Sequence, residues 1–174
     1  MLLKDFDGRN PVEMLMSEKF DGVRAVWTGS EFLTRTGNRI DCPAWFCAGL
    51  PDMILDGEIW AGRRRFQVAK GLCQSSGRDS EWRGITFQIF DAPSDELLEA
   101  RIAKLRNISL PNQARIVEHK VCFGMKHLDS EYCRIAKGGG EGIVIRVPNS
   151  PYRQERSLLW QKVKRKPELY ALAA

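Results

Sequence analysis

The sequence has no apolar run approaching the ~20 residues that cross a bilayer, so no membrane partner is expected. It has no Cys-x-x-Cys pair and only two histidines, His119 and His127. Its five cysteines, Cys42, Cys47, Cys73, Cys122 and Cys133, are odd in number. A zinc site is therefore not expected, and free thiols in a reducing compartment are. No GxxxxGK[ST] occurs, so Gly138-Gly139-Gly140 reads as a helix stop rather than a phosphate cradle. Met1-Leu2-Leu3-Lys4-Asp5 has no signal-peptide core. The cytoplasm is the expected compartment, with the periplasm as the alternative if a leader has been removed. Internal repeats, long linkers and strict βαβ alternation are also missing, which favours α+β over a doubly wound sheet.

What is present suits one soluble domain with a proper core: 174 residues, 43% hydrophobic and 28% charged. The net charge of +5 is unevenly spread. Arg153, Arg156, Lys162, Lys164, Arg165 and Lys166 face a single acid, Glu155, and Arg63-Arg64-Arg65 form a second run. Such clusters suit a polyanionic partner.

Periodicity and turn signals place the elements. Asn10 with Pro11 predicts a short helix start. Ser17–Trp27 reads as one strand, turning at Thr28-Gly29-Ser30 into Glu31–Thr36 and again at Gly37-Asn38. Cys42–Phe46 reads as a turn into a short packed segment. Further strands are expected at Met53–Trp60, Ile85–Phe90, Arg115–Val121, Ile143–Val147 and Leu158–Val163. Helices are expected at Phe66–Cys73, at Asp95–Arg106 with a Leu98/Ile102/Leu105 stripe, and at Asp129–Lys137 with Leu128, Tyr132 and Ile135 on one side and Gly138 as C-cap.

Several of these apolar segments carry charges that a core does not tolerate without a use. On the predicted strand Ser17–Trp27, Lys19, Asp21, Val23 and Ala25 share one face. Lys4-Asp5-Phe6-Asp7-Gly8-Arg9 imitates that stretch, but its lysine is three residues from the Asp and falls on the other face. The rest are Asp56-Gly57-Glu58, Phe90-Asp91, Glu141-Gly142-Ile143-Val144-Ile145-Arg146 and Lys162-Val163-Lys164. Each is weak alone. In this order they resemble the motif series of the covalent nucleotidyltransferases, which include ATP-dependent DNA ligases, RNA ligases and mRNA capping enzymes. The resemblance runs from about Ser17 to Lys164. Ser17–Ala25, Thr34–Asn38, Pro43–Phe46, Leu55–Trp60, Glu81-Trp82-Arg83 and Ser150–Arg153 are most similar to the minimal Lig E type of DNA ligase.

The resemblance implies an ATP-grasp-like covalent nucleotidyltransferase fold, with antiparallel sheets flanked by helices and a nucleotide pocket between the sheets. It implies that Lys19 attacks the α-phosphorus of ATP, releases pyrophosphate and carries AMP to the 5′-phosphate of nicked duplex DNA. A lysine amine with the ordinary pKa near ~10.4 is protonated at neutral pH, and nearby cations and a metal favour the free amine. Lys162 and Lys164 are thereby expected to converge on Lys19 and grip the α-phosphate. Asp21 is expected to orient Lys19 and later the 3′-hydroxyl. Ser17 and Glu18 are expected at the adenine edge, Phe90 stacked on the base, and Glu58 on the ribose. Glu141, with help from Glu58, is expected to hold Mg²⁺, with Mn²⁺ as a substitute. Arg24 and Arg35 are expected near the ribose and nick phosphates, and Arg153 and Arg156 on DNA. Asp91 is expected to order the sheet.

Relatives in this superfamily usually carry an OB-fold after the Lys-x-Lys strand. Arg165–Ala174 cannot form one, so the expectation is a single adenylation domain over 1–174, monomeric, without the OB-fold and weak in sealing. The rival readings are an RNA ligase or other RNA-end nucleotidyltransferase, and a non-catalytic DNA nick- or end-binding module.

Overall fold

A computed structural model describes residues 2–164. The tail, with the basic residues Arg165 and Lys166 and the stretch expected to be too short for an OB-fold, lies outside the described residues. Among the described residues the chain forms two compact units. One combines the residues up to Lys19 with those from His119 onward; the other is Phe20–Glu118.

The first unit is built on a five-stranded sheet of order β1-β10-β9-β2-β8. Its strands are β1 (Leu2–Asp5), β2 (Leu15–Lys19), β8 (Lys120–Val121), β9 (Gly142–Arg146) and β10 (Arg156–Val163). Helix α4, Met125–Lys137, packs against it. The near-continuous apolar run of β9 is explained by its central place, where every one of its residues is buried. Leu128, Tyr132 and Ile135 of α4 close over Met16, Ile143 and Ile145. Burying aliphatic side chains of this size stabilises by about 1.5–3 kcal/mol each.

The second unit is built on the sheet β4-β3-β5-β6-β7. Its strands are β3 (Val23–Trp27), β4 (Phe32–Thr34), β5 (Leu55–Trp60), β6 (Thr86–Asp91) and β7 (Ala114–Ile116). Its helices are α1 (Ala44–Cys47), α2 (Phe66–Cys73) and α3 (Leu98–Arg106), with a 3-10 turn at Asp79–Gly84. Phe32 is the hub of its core, with ring contacts to Trp27, Phe46 and Phe87. Each sheet is mainly antiparallel. Each also carries one parallel pair at an edge, β1 with β10 and β6 with β7. The architecture is α+β, two sheets with helices.

Five expectations are corrected. Ser17–Trp27 is two strands in two different sheets, because β2 ends at Lys19 and β3 begins at Val23. Gly22 lies in the break. A Cβ there would come within 2.3 Å of the Ile59 carbonyl oxygen, so only glycine allows that approach, which a period-two pattern does not register. Asp21 is exposed in the same break, and its shared strand face with Lys19 does not exist. Arg115–Val121 likewise divides into β7 and β8. Asn10 does not start a helix; its Oδ1 accepts the Val12 N–H in a turn, and the nearest element before it is the strand β1, which ends at Asp5. Asp95 and Glu96 precede α3, which starts at Leu98. Gly138 is the C-cap of α4, as expected, and the left-handed position falls on the next residue, Gly139, at φ 76°.

Candidate active site

In the first unit, β2 and β9 run antiparallel with Lys19 opposite Gly142. That register places the Lys19 amine beside Glu141, the residue preceding β9. Lys19 Nζ donates to Glu141 Oε2 at 2.5 Å. The other carboxylate oxygen, Oε1, pairs with Lys164, just past the end of β10. One carboxylate thus bridges two ammonium groups. The Lys19 and Glu141 side chains keep only 20% and 18% of their exposure, so the pair is partly desolvated, where charges act more strongly than in open water.

Gly142 makes this approach possible. Its φ is +155°, and a Cβ would stand 2.3 Å from the Val163 carbonyl oxygen. Deeper in the same sheet, the Arg146 guanidinium lies 4.4 Å from the Trp160 ring centroid. It donates to Ser17 Oγ at 2.7 Å. The Ser17 hydroxyl is therefore engaged within the sheet, while the adenine-edge contact expected of Ser17 is largely a backbone one. Lys162 does not join Glu141. It forms an ion pair at 3.3 Å with Asp5 of the neighbouring strand β1. The expected convergence is seen for Lys164 only. The period-two rule failed there because β10 ends between the two lysines, at Val163.

In the second unit, Glu58 on β5 accepts the Gly22 N–H at 3.2 Å. Arg24, opposite Glu58 in the β3–β5 register, turns its guanidinium to Asp56. Nε donates to Oδ1 at 3.0 Å and an NH₂ group to Oδ2 at 2.5 Å. Asp56 is fully buried. The sequence marked it as an intruding acid but gave it no role; its alternation with Glu58 two residues on was the available signal. Arg24 also lies 5.6 Å from the centroid of the half-buried Phe90, within cation–π range. Gly22, Val23, Arg24, Arg35, Glu58 and Lys70 are among the residues lining a cavity of about 420 Å³. The cavity therefore gathers three of the expected ligand-binding residues: Arg24, Arg35 and Glu58.

Other expected residues stand apart. Glu18 is half-buried on β2, opposite Ile143. Arg153 is exposed and pairs with Glu155 at 3.2 Å, and Arg156 is exposed at the start of β10. Asp91 is buried against Arg101 of α3, the structural position anticipated for it.

Comparison with known proteins places this arrangement. The sequence model of the family described as ATP dependent DNA ligase domain matches residues 3–164. The chain belongs to that family. It is 35% identical over 169 residues to a DNA ligase of Haemophilus influenzae, covering 94% of this chain and 62% of that protein. The chain thus spans less than two thirds of the length of this curated relative. Among solved structures, one from a structure–function study of DNA binding by Lig E DNA ligases matches with a TM-score of 0.87. It is 31% identical, covering 95% of this chain and 68% of that one. Chlorella virus DNA ligase-adenylate, at 21% identity and a TM-score of 0.79, covers 94% of this chain and 66% of its own and shares the fold.

Proposed function

We propose that the chain is the adenylation domain of an ATP-dependent DNA ligase, acting on nicked duplex DNA as a monomer. The observation that carries this reading is the Glu141 carboxylate held between Lys19 and Lys164, within a chain of that family. The nitrogen lone pair of Lys19 attacks the α-phosphorus. The N–P bond forms as the bond to the bridging oxygen of pyrophosphate breaks, and the proton that the amine gives up passes to the Glu141 carboxylate, 2.5 Å away. Glu141 fixes the amine before attack, and Lys164 offsets charge on the phosphate oxygens. Phosphoryl transfer gains chiefly from such positioning and charge stabilisation. In the second unit, Glu58 takes the ribose hydroxyls, Phe90 the base and Arg35 the 5′-phosphate of the nick.

Glu141 and Glu58 supply hard oxygen donors suited to Mg²⁺. Among the described residues no cluster of three or more ligating side chains stands ready for a metal. Mg²⁺ commonly keeps several waters and shares one or two carboxylates with substrate phosphates. When bound, Mg²⁺ would neutralise phosphate charge.

The test is incubation with ATP and Mg²⁺ followed by intact-mass measurement. A gain of one AMP, mapped to Lys19 and lost in Lys19→Ala, is expected. Glu141→Gln should slow the gain by about 10²-fold or more, with melting little changed. Labelling that persists in Lys19→Ala sinks the assignment. Transfer to nicked DNA should weaken steeply as salt rises. Preference for single-stranded RNA ends over nicked DNA would replace the substrate.

A further inference from the structure

Cys42 and Cys47 flank α1 in the second unit, Cys42 just before Pro43 and Cys47 as the helix's last residue. Their sulfurs lie 3.3 Å apart, and both thiols are free and only half-buried. No other pair of the five cysteines forms a sulfur–sulfur contact among the described residues. Bond formation needs an approach of about 1.3 Å more, to ~2.05 Å. That is small for two side chains five positions apart, one before and one at the end of a four-residue helix.

We propose that Cys42 and Cys47 are a reversible oxidation site, a dithiol that a small-molecule disulfide converts to an intramolecular disulfide. The Cys47 thiolate attacks one sulfur of the incoming disulfide. A mixed disulfide forms and one small thiol leaves. The Cys42 sulfur then attacks Cys47, closing the protein disulfide and releasing the second small thiol. One protein dithiol and one small disulfide yield one protein disulfide and two small thiols, so atoms and electrons balance without another reactant.

The surroundings assign the two roles. Cys47 is held below the usual thiol range, chiefly by the hydrogen bond from Cys42 and, after burial has acted against it, by the charge of Arg39. Cys42 is pushed up by the same sulfur contact, by burial, and by the negative charges of Cys47 and Asp41. The Cys47 thiolate attacks first. Once it is tied up in the mixed disulfide, its charge no longer holds the proton on Cys42. Cys42 then passes that proton to the departing small thiolate and attacks as a thiolate in turn. Cys73, the remaining thiol near Cys42, is pushed up to about 12 by burial and then by Glu58, which suits an inert bystander. The disulfide would close a ring over α1, whose Phe46 packs on Phe32 and Trp82.

The experiment treats the reduced chain with oxidised glutathione, quenches with acid, alkylates the unfolded protein with N-ethylmaleimide and maps the peptides. The expected result is joint loss of alkylation at Cys42 and Cys47 and a mass lower by two hydrogens, both reversed by dithiothreitol. Cys42→Ser should instead accumulate a stable glutathione adduct on Cys47. Full alkylation of both residues after treatment overturns the proposal, as does a Cys42–Cys73 link. In Cys42→Ser, an adduct on Cys73 with Cys47 left free reverses the assignment of the attacking thiol.

Discussion

Arg101 of α3 and Asp91 at the end of β6 form a fully buried, two-pronged ion pair. Nε donates to Oδ1 at 2.8 Å and NH₂ to Oδ2 at 3.1 Å. Both side chains have no exposure. Arg101 also donates to the Glu96 carbonyl, and Asp91 Oδ1 accepts the Ala92 N–H. The pair therefore ties α3, the segment before it and the sheet together.

Removing one partner strands the other charge away from water. Arg101→Ala is expected to lower the unfolding free energy by about 3–5 kcal/mol, measured by urea denaturation. Replacing both residues by apolar side chains of similar volume should cost much less, since neither charge is then left alone. Equal losses in the single and double variants would contradict this account.

Gly22→Ala is expected to lose about 1–3 kcal/mol of stability, because the new methyl would meet the Ile59 carbonyl and sit 2.9 Å from Glu58 Cγ. It should also push Glu58 from its bond to the Gly22 N–H and weaken ATP binding beyond the loss of fold. Gly37→Ala meets nothing within 4 Å and is the control for strain alone, since its φ is 83°. Thermal melts and ATP titrations of the two variants separate packing from backbone strain.

Glu131 gives a pH dependence. Arg134, and then Lys120, hold its carboxyl at about 2, well below the ordinary 4.5. A depressed carboxylate stabilises the fold above its unfolded value, and that contribution is lost as pH falls through the folded one. Stability should therefore decline between about pH 4.5 and 2 more steeply in the wild type than in Glu131→Gln. Denaturation midpoints across that window check it. Parallel profiles would remove Glu131 from the acid response.

The sequence made the apolar stripes and the charged motifs legible, but not where the chain changes sheet. Leu98, Ile102 and Leu105, and Leu128, Tyr132 and Ile135, are buried as their spacing indicated, since a helix face depends on local periodicity. Ser17–Trp27 and Arg115–Val121 each read as one strand because alternation continues where the chain passes from one sheet to the other. Glu141 beside Lys19 lies 122 positions away in sequence. It was reached through the motif order, because no local rule fixes a strand register at that distance. Asp56 and the Lys162–Asp5 pair depended on such registers too and were missed.

The first unit is discontinuous along the chain, and its outer edge pairs β1 with β10, Lys4 opposite Gln161. Synthesis from the N-terminus therefore completes all of Phe20–Glu118 before Lys19 can meet either Glu141 or Lys164. Contacts of such long sequence separation form late. A nascent chain arrested before residue 141 would carry Lys19 without either partner, so uptake of AMP is expected to arise only once the chain has been made as far as Lys164.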